Sequence, residues 1–352
     1  MYDHKPDDLS DELEKQIKDA AEAAFDEEIA SVNDQLEKEI TFALVGDINS
    51  GKSSTVNALM DDELASVAPE PGQTIEVGRY YYTEKIVFVD TPGLDDVVKK
   101  NSEQTMKFFR QADVILFFLN AAGTVLSDGE MKVFRKLKRK NSNIIFVLNK
   151  IDAVDPSEID DIAGYVKRNT DVTLPVIPIS SRDGTNIQEL REEILDMLKK
   201  NGKDLLFARH LRDKSPVANK WIYAAGGAAG TVGLSPIPGS DIVPITGIQV
   251  TMMVRLGKLY DKPISRRRAK ELAIATVVGN IGRTTFRQAV KVVPVAGSIT
   301  AAGVAGSLTI ALGFAMKYAY ENDLDVDVDT IMSLIPKYYE EPKVPDNENM
   351  RK

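Results

Sequence analysis

The sequence has no cysteine among its 352 residues. That excludes disulfides, thiolate metal sites, iron–sulfur clusters and a cysteine nucleophile. Histidine is nearly as scarce, with two residues, His4 and His210. Neither a histidine-rich metal site nor a Ser-His-Asp triad is expected. The N-terminal stretch is acidic and carries no apolar run of the signal-peptide kind, so a cytoplasmic location is expected.

What is present is ordinary for a folded chain. Hydrophobic residues are 43% and charged residues 28%, which excludes a wholly disordered chain and a collagen. The length suits two domains. The net charge of −9 hides a marked asymmetry. Residues 1–40 carry net −10 and residues 203–317 net +11, while residues 41–202 and 318–352 carry −5 each. An acidic head, a basic apolar third quarter and an acidic tail are different physical objects.

Residues 9–39 predict one amphipathic helix. Leu9, Leu13, Ile17, Ala20, Ala24, Val32 and Leu36 fall at steps of three, four or their multiples, with a start near Ser10. From residue 41 the pattern becomes strand–loop–helix. Phe42–Val45, Ile86–Val89, Val114–Leu119, Ile144–Leu148 and Val176–Ile179 are short, nearly uninterrupted apolar runs. Strands buried on both faces read this way. Arg79–Tyr82 adds a less buried strand. Helical patterns cover 52–60, 102–111, 128–139, 157–168 and 187–199. The fold class is α/β: a doubly wound domain with a mostly parallel, six-stranded sheet, ending near Asn201-Gly202. After 203 the chain reads as all-α, and the acidic N-terminal helix, drawn by the opposite charge of residues 203–317, is expected to join these helices in one all-α domain. The expected divisions are an acidic helix at 1–40, the α/β domain at 41–202, a Gly/Ala-rich helical domain at 203–339 and a disordered tail at 340–352.

Gly46-Asp47-Ile48-Asn49-Ser50-Gly51-Lys52-Ser53 matches G-x-x-x-x-G-K-[ST] between a strand and a helix. The glycines let backbone N–H groups curl around phosphate oxygens, and the helix N-terminus adds its positive end. Asn49, Ser50, Gly51, Lys52, Ser53 and Ser54 are the expected phosphate contacts. Lys52 is placed at the β/γ-phosphates and Ser53 offers its hydroxyl to Mg²⁺. Asp90-Thr91-Pro92-Gly93 ends the next strand. There Asp90 holds Mg²⁺ through water, and the Gly93 N–H approaches the γ-phosphate. Pro71-Gly72-Gln73-Thr74 is the loop expected to close over the metal, with Thr74 as ligand. Ser66 is the remaining alternative and Thr83 a poor competitor.

Asn149-Lys150-Ile151-Asp152 ends a buried strand. The Asp152 carboxylate can accept two parallel hydrogen bonds from guanine, which adenine does not offer. Asn149 ties this loop to the phosphate loop, and the Lys150 stem covers the base. Ser180-Ser181-Arg182 follows the last strand. There the Ser181 N–H faces the guanine O6 and Arg182 lies over the base. GTP and GDP are thus the expected ligands. The expected catalytic set is Lys52, Thr74 and Gly93.

This ordered set resembles the Era/TrmE-like branch of the translation-factor-related GTPases over about residues 41–201. The Gly46–Ser54 stretch also resembles dynamin-like and interferon-inducible GTPases. Leu94 stands after Asp-x-x-Gly, where small Ras-type GTPases carry Gln. The resemblance implies an enzyme whose attacking water is positioned from elsewhere. It also implies dimerisation through the GTPase domains and use of K⁺, with Asn49 at the matching position. Asp95, Asp96 and Glu103 stay open as catalytic carboxylates, and no Arg finger is identifiable.

Residues 222–240 are uncharged but hold five Gly and two Pro, and Pro236–Gly239 forces a turn. Ser240 or Asp241 is the expected cap of the next helix, with Pro244 in its first turn. Residues 292–316 form a second uncharged run, in which 14 of 25 residues are Gly, Ala, Ser or Thr. Gly303, Gly306 and Ala302 allow close helix approach. Arg266-Arg267-Arg268-Ala269-Lys270 supplies a cation cluster. Pro236–Leu259 and Pro294–Leu312 resemble the hydrophobic module of YcjF-type proteins. A soluble bundle, peripheral association with an anionic membrane face and true spanning all stay open. No aromatics interleave with the basic cluster in sequence, so RNA is not an expected partner. The expected function is a Mg²⁺-dependent GTP hydrolase and switch coupled to the helical module. The alternative is a soluble regulatory or assembly GTPase acting on a protein or on a ribosome or RNA partner.

Asp152→Asn should lose GTP and gain xanthosine triphosphate, because the amide supplies a donor where guanine has donors. Equilibrium titration checks this; ATP bound as tightly as GTP by the parent chain would sink the base-reading assignment.

Overall fold

The computed structural model describes residues 6–61, 78–90, 108–233, 240–278 and 301–340. The chain divides into two compact units. One is Gln35–Arg212; the other joins Met1–Asp34 to Asp213–Lys352.

In the Gln35–Arg212 unit the strands are β1 (Ile40–Val45), β2 (Gly78–Thr83), β3 (Ile86–Asp90), β4 (Val114–Asn120), β5 (Ile144–Asn149) and β6 (Val176–Pro178). They form one six-stranded sheet in the order β2-β3-β1-β4-β5-β6. β2 runs antiparallel to β3, and every other pairing is parallel. All six residues of β5 are buried, and six of the seven of β4. This is why both read as unbroken apolar runs rather than alternating ones. The helices are α2 (Lys52–Met60), α3 (Asp128–Lys138), α4 (Ile159–Asn169), α5 (Ile187–Lys199) and α6 (Asp204–Arg209), after α1 (Pro6–Glu37), whose last turn falls in this unit. A capping box starts α3: the Ser127 hydroxyl accepts from the Glu130 N–H at 3.3 Å, and the Glu130 carboxylate accepts from the Ser127 N–H at 2.7 Å.

Two expectations need correction here. The α/β unit ends at Arg212, not at 202, because α6 belongs to it. Leu205, Leu206, Phe207 and Ala208 are buried, and the Phe207 ring lies 5.5 Å from that of Phe42 on β1. Lys203 also pairs with Asp113 at 2.5 Å, fixing the entry to α6. The N-terminal helix begins by Pro6, ahead of Ser10. The expected helix 102–111, the Pro236–Gly239 turn, residues 292–300 and the tail from 341 lie wholly or partly outside the described residues.

The second unit holds α1 up to Asp34 with α7 (Ser215–Val232), α8 (Ile242–Leu259), α9 (Arg266–Val278), α10 (Ala301–Glu321) and α11 (Val328–Glu340). α7 and α10 pack backbone to backbone. A Cβ on Gly306 would lie 2.9 Å from the Gly226 carbonyl oxygen, and one on Gly226 would lie 2.3 Å from the Ile310 side chain. Asp241 occupies the cap position of α8, but its side chain makes no capping hydrogen bond. α8 is, among the described residues, the one helix long and apolar enough to cross a membrane, and 56% of that window is buried inside the protein.

The acidic helix and the basic quarter of the chain meet in this unit. Glu22 pairs with Lys270 at 2.6 Å, Glu28 with Arg255 at 3.6 Å and Asp26 with Arg266, while Lys258 donates to the Asn33 side chain at 3.0 Å. Ile17, Ala21, Phe25 and Val32 of α1 are buried. Burial of each large apolar side chain contributes about 1.5–3 kcal/mol, against about 0–1 kcal/mol for an exposed ion pair. The apolar stripe therefore sets the strength of the packing and the charges set its register.

Gly306→Val should force α7 and α10 apart. We expect a loss of about 1–3 kcal/mol of stability in a denaturant titration, the usual cost of overpacking. An unchanged midpoint would show that the backbone contact carries no stability.

Candidate functional site

The phosphate loop leaves β1 at Val45 and enters α2 at Lys52. Two of its residues sit in the left-handed region, Asn49 at φ 65° and Gly51 at φ 92°. Gly51 has a second reason to be glycine: a Cβ there would lie 2.0 Å from the Asn149 side-chain nitrogen. Asn149 ends β5 and is fully buried. Its amide nitrogen donates to the Ser50 carbonyl at 2.9 Å and to the Ser181 hydroxyl at 3.2 Å, while its oxygen accepts the Ser181 N–H at 3.1 Å. One side chain thus fastens the phosphate loop to both loops expected to read the base.

These loops surround a cleft of about 920 Å³. Asn49, Ser50, Gly51, Lys52, Ser53, Ser54, Asp90, Asn149, Lys150, Asp152, Ser181 and Arg182 all line it. Ser180 does not. It is fully buried, and its hydroxyl donates to Asp152 Oδ1 at 3.0 Å. Its expected place in the cleft is therefore corrected: it fixes the carboxylate from behind. Arg182 reaches the other Asp152 oxygen at 3.8 Å with a side chain 86% exposed. Lys150 takes φ 68°, in the left-handed region. Thr74 and Gly93 lie outside the described residues, as do Ser66, Leu94, Asp95, Asp96 and Glu103. Thr83 is turned elsewhere: its hydroxyl accepts from the Lys85 and Ile86 N–H groups in the β2–β3 turn.

At the phosphate end, Lys52 donates to the Gly46 and Asp47 carbonyls at 3.1 Å each, and its ammonium stands 3.6 Å from Asp90 Oδ1. Burial pushes the Asp90 carboxyl up from its usual range, and the Lys52 charge opposes that rise. Asp90 Oδ1 is buried and, among the described residues, accepts no hydrogen bond. A buried carboxylate oxygen with an open lone pair, in a cleft with the Ser53 hydroxyl, suits a water-coordinated Mg²⁺. No cluster of three acidic or histidine side chains exists among the described residues, so phosphate oxygens would complete such a site.

One contact carried no sequence signal. Arg191 of α5 donates to the Leu59 and Ala58 carbonyls at 2.9 and 2.8 Å and pairs with Asp61 at 2.7 Å. It closes the C-terminal end of α2 with a cation, where the helix dipole favours one. Two apolar groups also line the cleft without having been expected there, Ile48, 80% exposed, and Ala153.

A phosphate loop at the end of β1, an acidic residue at the end of β3 and a guanine-type loop at the end of β5 define a P-loop GTPase domain. Residues 41–150 match the family model described as 50S ribosome-binding GTPase, and residues 217–331 match one described as Domain of unknown function (DUF697). The domain is similar to that of GTPase Era from Thermoanaerobacter sp., 30% identical over 168 residues, which cover 46% of this chain and 55% of that protein. It is also similar to the tRNA modification GTPase MnmE of Clostridioides difficile, 32% identical over 198 residues, 54% of this chain and 40% of that one. A solved structure of Era with MgGDPNP and nucleotides 1506–1542 of 16S ribosomal RNA aligns at 27% identity and a TM-score of 0.37, over 46% of this chain and 57% of that one. The chain spans about half the length of the curated Era relative it matches.

Gly51→Ala should weaken guanine nucleotide binding by about tenfold or more while leaving the far-ultraviolet circular dichroism unchanged. The left-handed φ costs about 1–3 kcal/mol, and the methyl group displaces the Asn149 amide. Unchanged affinity in a fluorescent-nucleotide titration would show that the Asn149 tie is dispensable.

Proposed function

We propose that this protein binds GTP and hydrolyses it to GDP and phosphate with Mg²⁺. The observation that carries this reading is the Asn149 tie, which brings Lys52 and Asp152 to one cleft. Phosphoryl transfer asks the protein mainly for positioning and charge stabilisation. Lys52 and the N–H groups at the start of α2 supply positive charge for the phosphates. Asp152, held by Ser180, selects guanine over adenine. Ser53 and Asp90 would hold Mg²⁺, which when bound neutralises phosphate charge; Thr74 is its proposed third protein contact. Gly93 is the proposed switch position, where a backbone N–H senses the γ-phosphate.

The rest of the reading extends the same site. Asn49 lines the cleft and is the proposed contact for K⁺, with a second copy of the domain as the proposed partner across it. The helical unit, which resembles the YcjF-type module, is the proposed output, acting at the anionic cytoplasmic face of a membrane. A ribosomal or RNA partner is the second reading. It is favoured by the description of the family model matched by residues 41–150.

Phosphate release from GTP tests the central claim. The parent chain should turn over GTP slowly, and Lys52→Ala should reduce turnover by about a hundredfold, the usual scale for one electrostatic contact to developing charge. Turnover should be faster in K⁺ than in Na⁺ at equal ionic strength, and Asn49→Ala should abolish that difference. No GTP turnover in either salt would overturn the hydrolase reading; equal rates would overturn only the role of K⁺.

A further inference from the structure

We infer that α1 is a detachable cover on a cationic face formed by α8 and α9, and that this face, once uncovered, takes an anionic lipid surface. The inference rests on the membrane reading above and names the surface that would serve it.

The face is defined by four cations from two helices, Arg255 and Lys258 on α8 and Arg266 and Lys270 on α9. Each is met by α1, through Glu28, Asn33, Asp26 and Glu22 respectively. Glu22 and Asp26 are one helical turn apart, so both carboxylates stand on one side of α1. On the same helix Phe25 and Val32 are buried, and Ala24 lies against Gly247 of α8. α1 therefore presents a row of anionic oxygens beside an apolar stripe. A membrane interface rich in acidic lipid presents the same pair of features, charged head groups over an apolar layer.

Two properties make the cover exchangeable. Two of its three ion pairs are partly open to water: the Arg266 and Asp26 side chains are 54% and 49% exposed and those of Lys270 and Glu22 30% and 41%, while the Arg255–Glu28 pair is more enclosed. A lipid phosphate offers Arg and Lys the same charge-assisted hydrogen bonds. The mode of packing also differs from the rest of the unit. α7 and α10 meet backbone to backbone at Gly226 and Gly306, whereas α1 meets α8 and α9 through side chains, an apolar stripe flanked by charged pairs. Lifting α1 leaves the α7–α10 pair whole. What replaces α1 must also take over the apolar ground under Phe25 and Val32. An acyl layer does so and a nucleic acid backbone does not, which favours lipid.

The absence of cysteine makes a decisive experiment available. A Cβ on Gly247 would lie 4.0 Å from that of Ala24, inside the span of about 3.5–4.5 Å that a disulfide needs. The full chain carrying Ala24→Cys and Gly247→Cys can therefore be locked by oxidation and released by reductant. A second variant, Glu22→Gln with Asp26→Asn and Glu28→Gln, keeps the helix and its apolar stripe and removes the carboxylates. Flotation with phosphatidylcholine vesicles, with and without phosphatidylserine, reads the result. The oxidised protein should stay unbound. The reduced protein should float with the phosphatidylserine vesicles only, and the neutralised variant should partition more strongly than the parent, by about fivefold for each cation freed. Equal flotation of the locked and reduced forms would overturn the cover while leaving the membrane reading intact. No flotation of any form would overturn both. Retention of an RNA oligonucleotide by the neutralised variant, without flotation, would assign the face to nucleic acid and overturn the lipid partner.

Discussion

The buried amide of Asn149 is the constraint on which the nucleotide cleft depends. It is the last residue of β5 and spends all its hydrogen-bonding groups on other loops: the Ser50 carbonyl, the Ser181 hydroxyl and the Ser181 N–H. A buried amide left without partners would cost about 1–3 kcal/mol, so the tie forms wherever the strands place its partners within reach. That reach comes from the sheet. Parallel pairing of β1, β4 and β5 brings the ends of β1 and β5 to the same edge, with β4 between them. Gly51 is the price of so close an approach, since the position of its missing Cβ is where the Asn149 amide stands.

The helical unit rests on a different balance. Its apolar helices carry small residues where they cross, which exchanges side-chain burial for backbone proximity. Gly313 repeats the pattern: a Cβ there would lie 2.8 Å from Ile222 and 2.9 Å from the Met252 sulfur. Some polar groups are enclosed with it. Gln249 donates to Thr309 at 3.2 Å, both fully or almost fully buried. The Arg255 guanidinium sits 4.4 Å from the centre of the Trp221 ring while it pairs with Glu28. A cation that is stacked and paired at once belongs to the interior design of the unit, whereas Arg267, 86% exposed, belongs to its surface.

Much of this was legible in the sequence, for stated reasons. The buried parallel strands show as apolar runs because both faces of each are covered, and the loops that follow them carry residue types that few other folds need there. Ser53, Asp90, Asn149 and Asp152 line one cleft because the loops that carry them leave strands whose limits the pattern sets. The boundary at Arg212 was not legible. Gly202 marks a helix stop, yet Phe207 returns to the sheet, and only the ring contact with Phe42 reveals it. The role of Ser180 was hidden because a serine reads alike whether it faces a ligand or a carboxylate behind it. Arg191 and Asp61 stand 130 residues apart and share no motif.

The charge asymmetry shows how far a coarse sequence quantity can carry. Net charges of −10 and +11 in separate segments predict attraction without saying where the groups meet. The structure resolves that attraction into individual pairs, and Glu22 is the informative one. Its carboxyl is held below the usual range first by the hydrogen bond from Lys270 and then by that residue's charge. The sign follows: a carboxyl lowered on folding stabilises the folded state above its unfolded value, and that contribution fades as pH falls through the lowered native value. The contact is therefore fully formed at neutral pH, and acid weakens it only below the ordinary carboxylate range. Salt screening and a competing anionic surface act on it directly, because its pairs are partly exposed to solvent. The same pairs that fix the register of α1 are the ones that such a surface can replace.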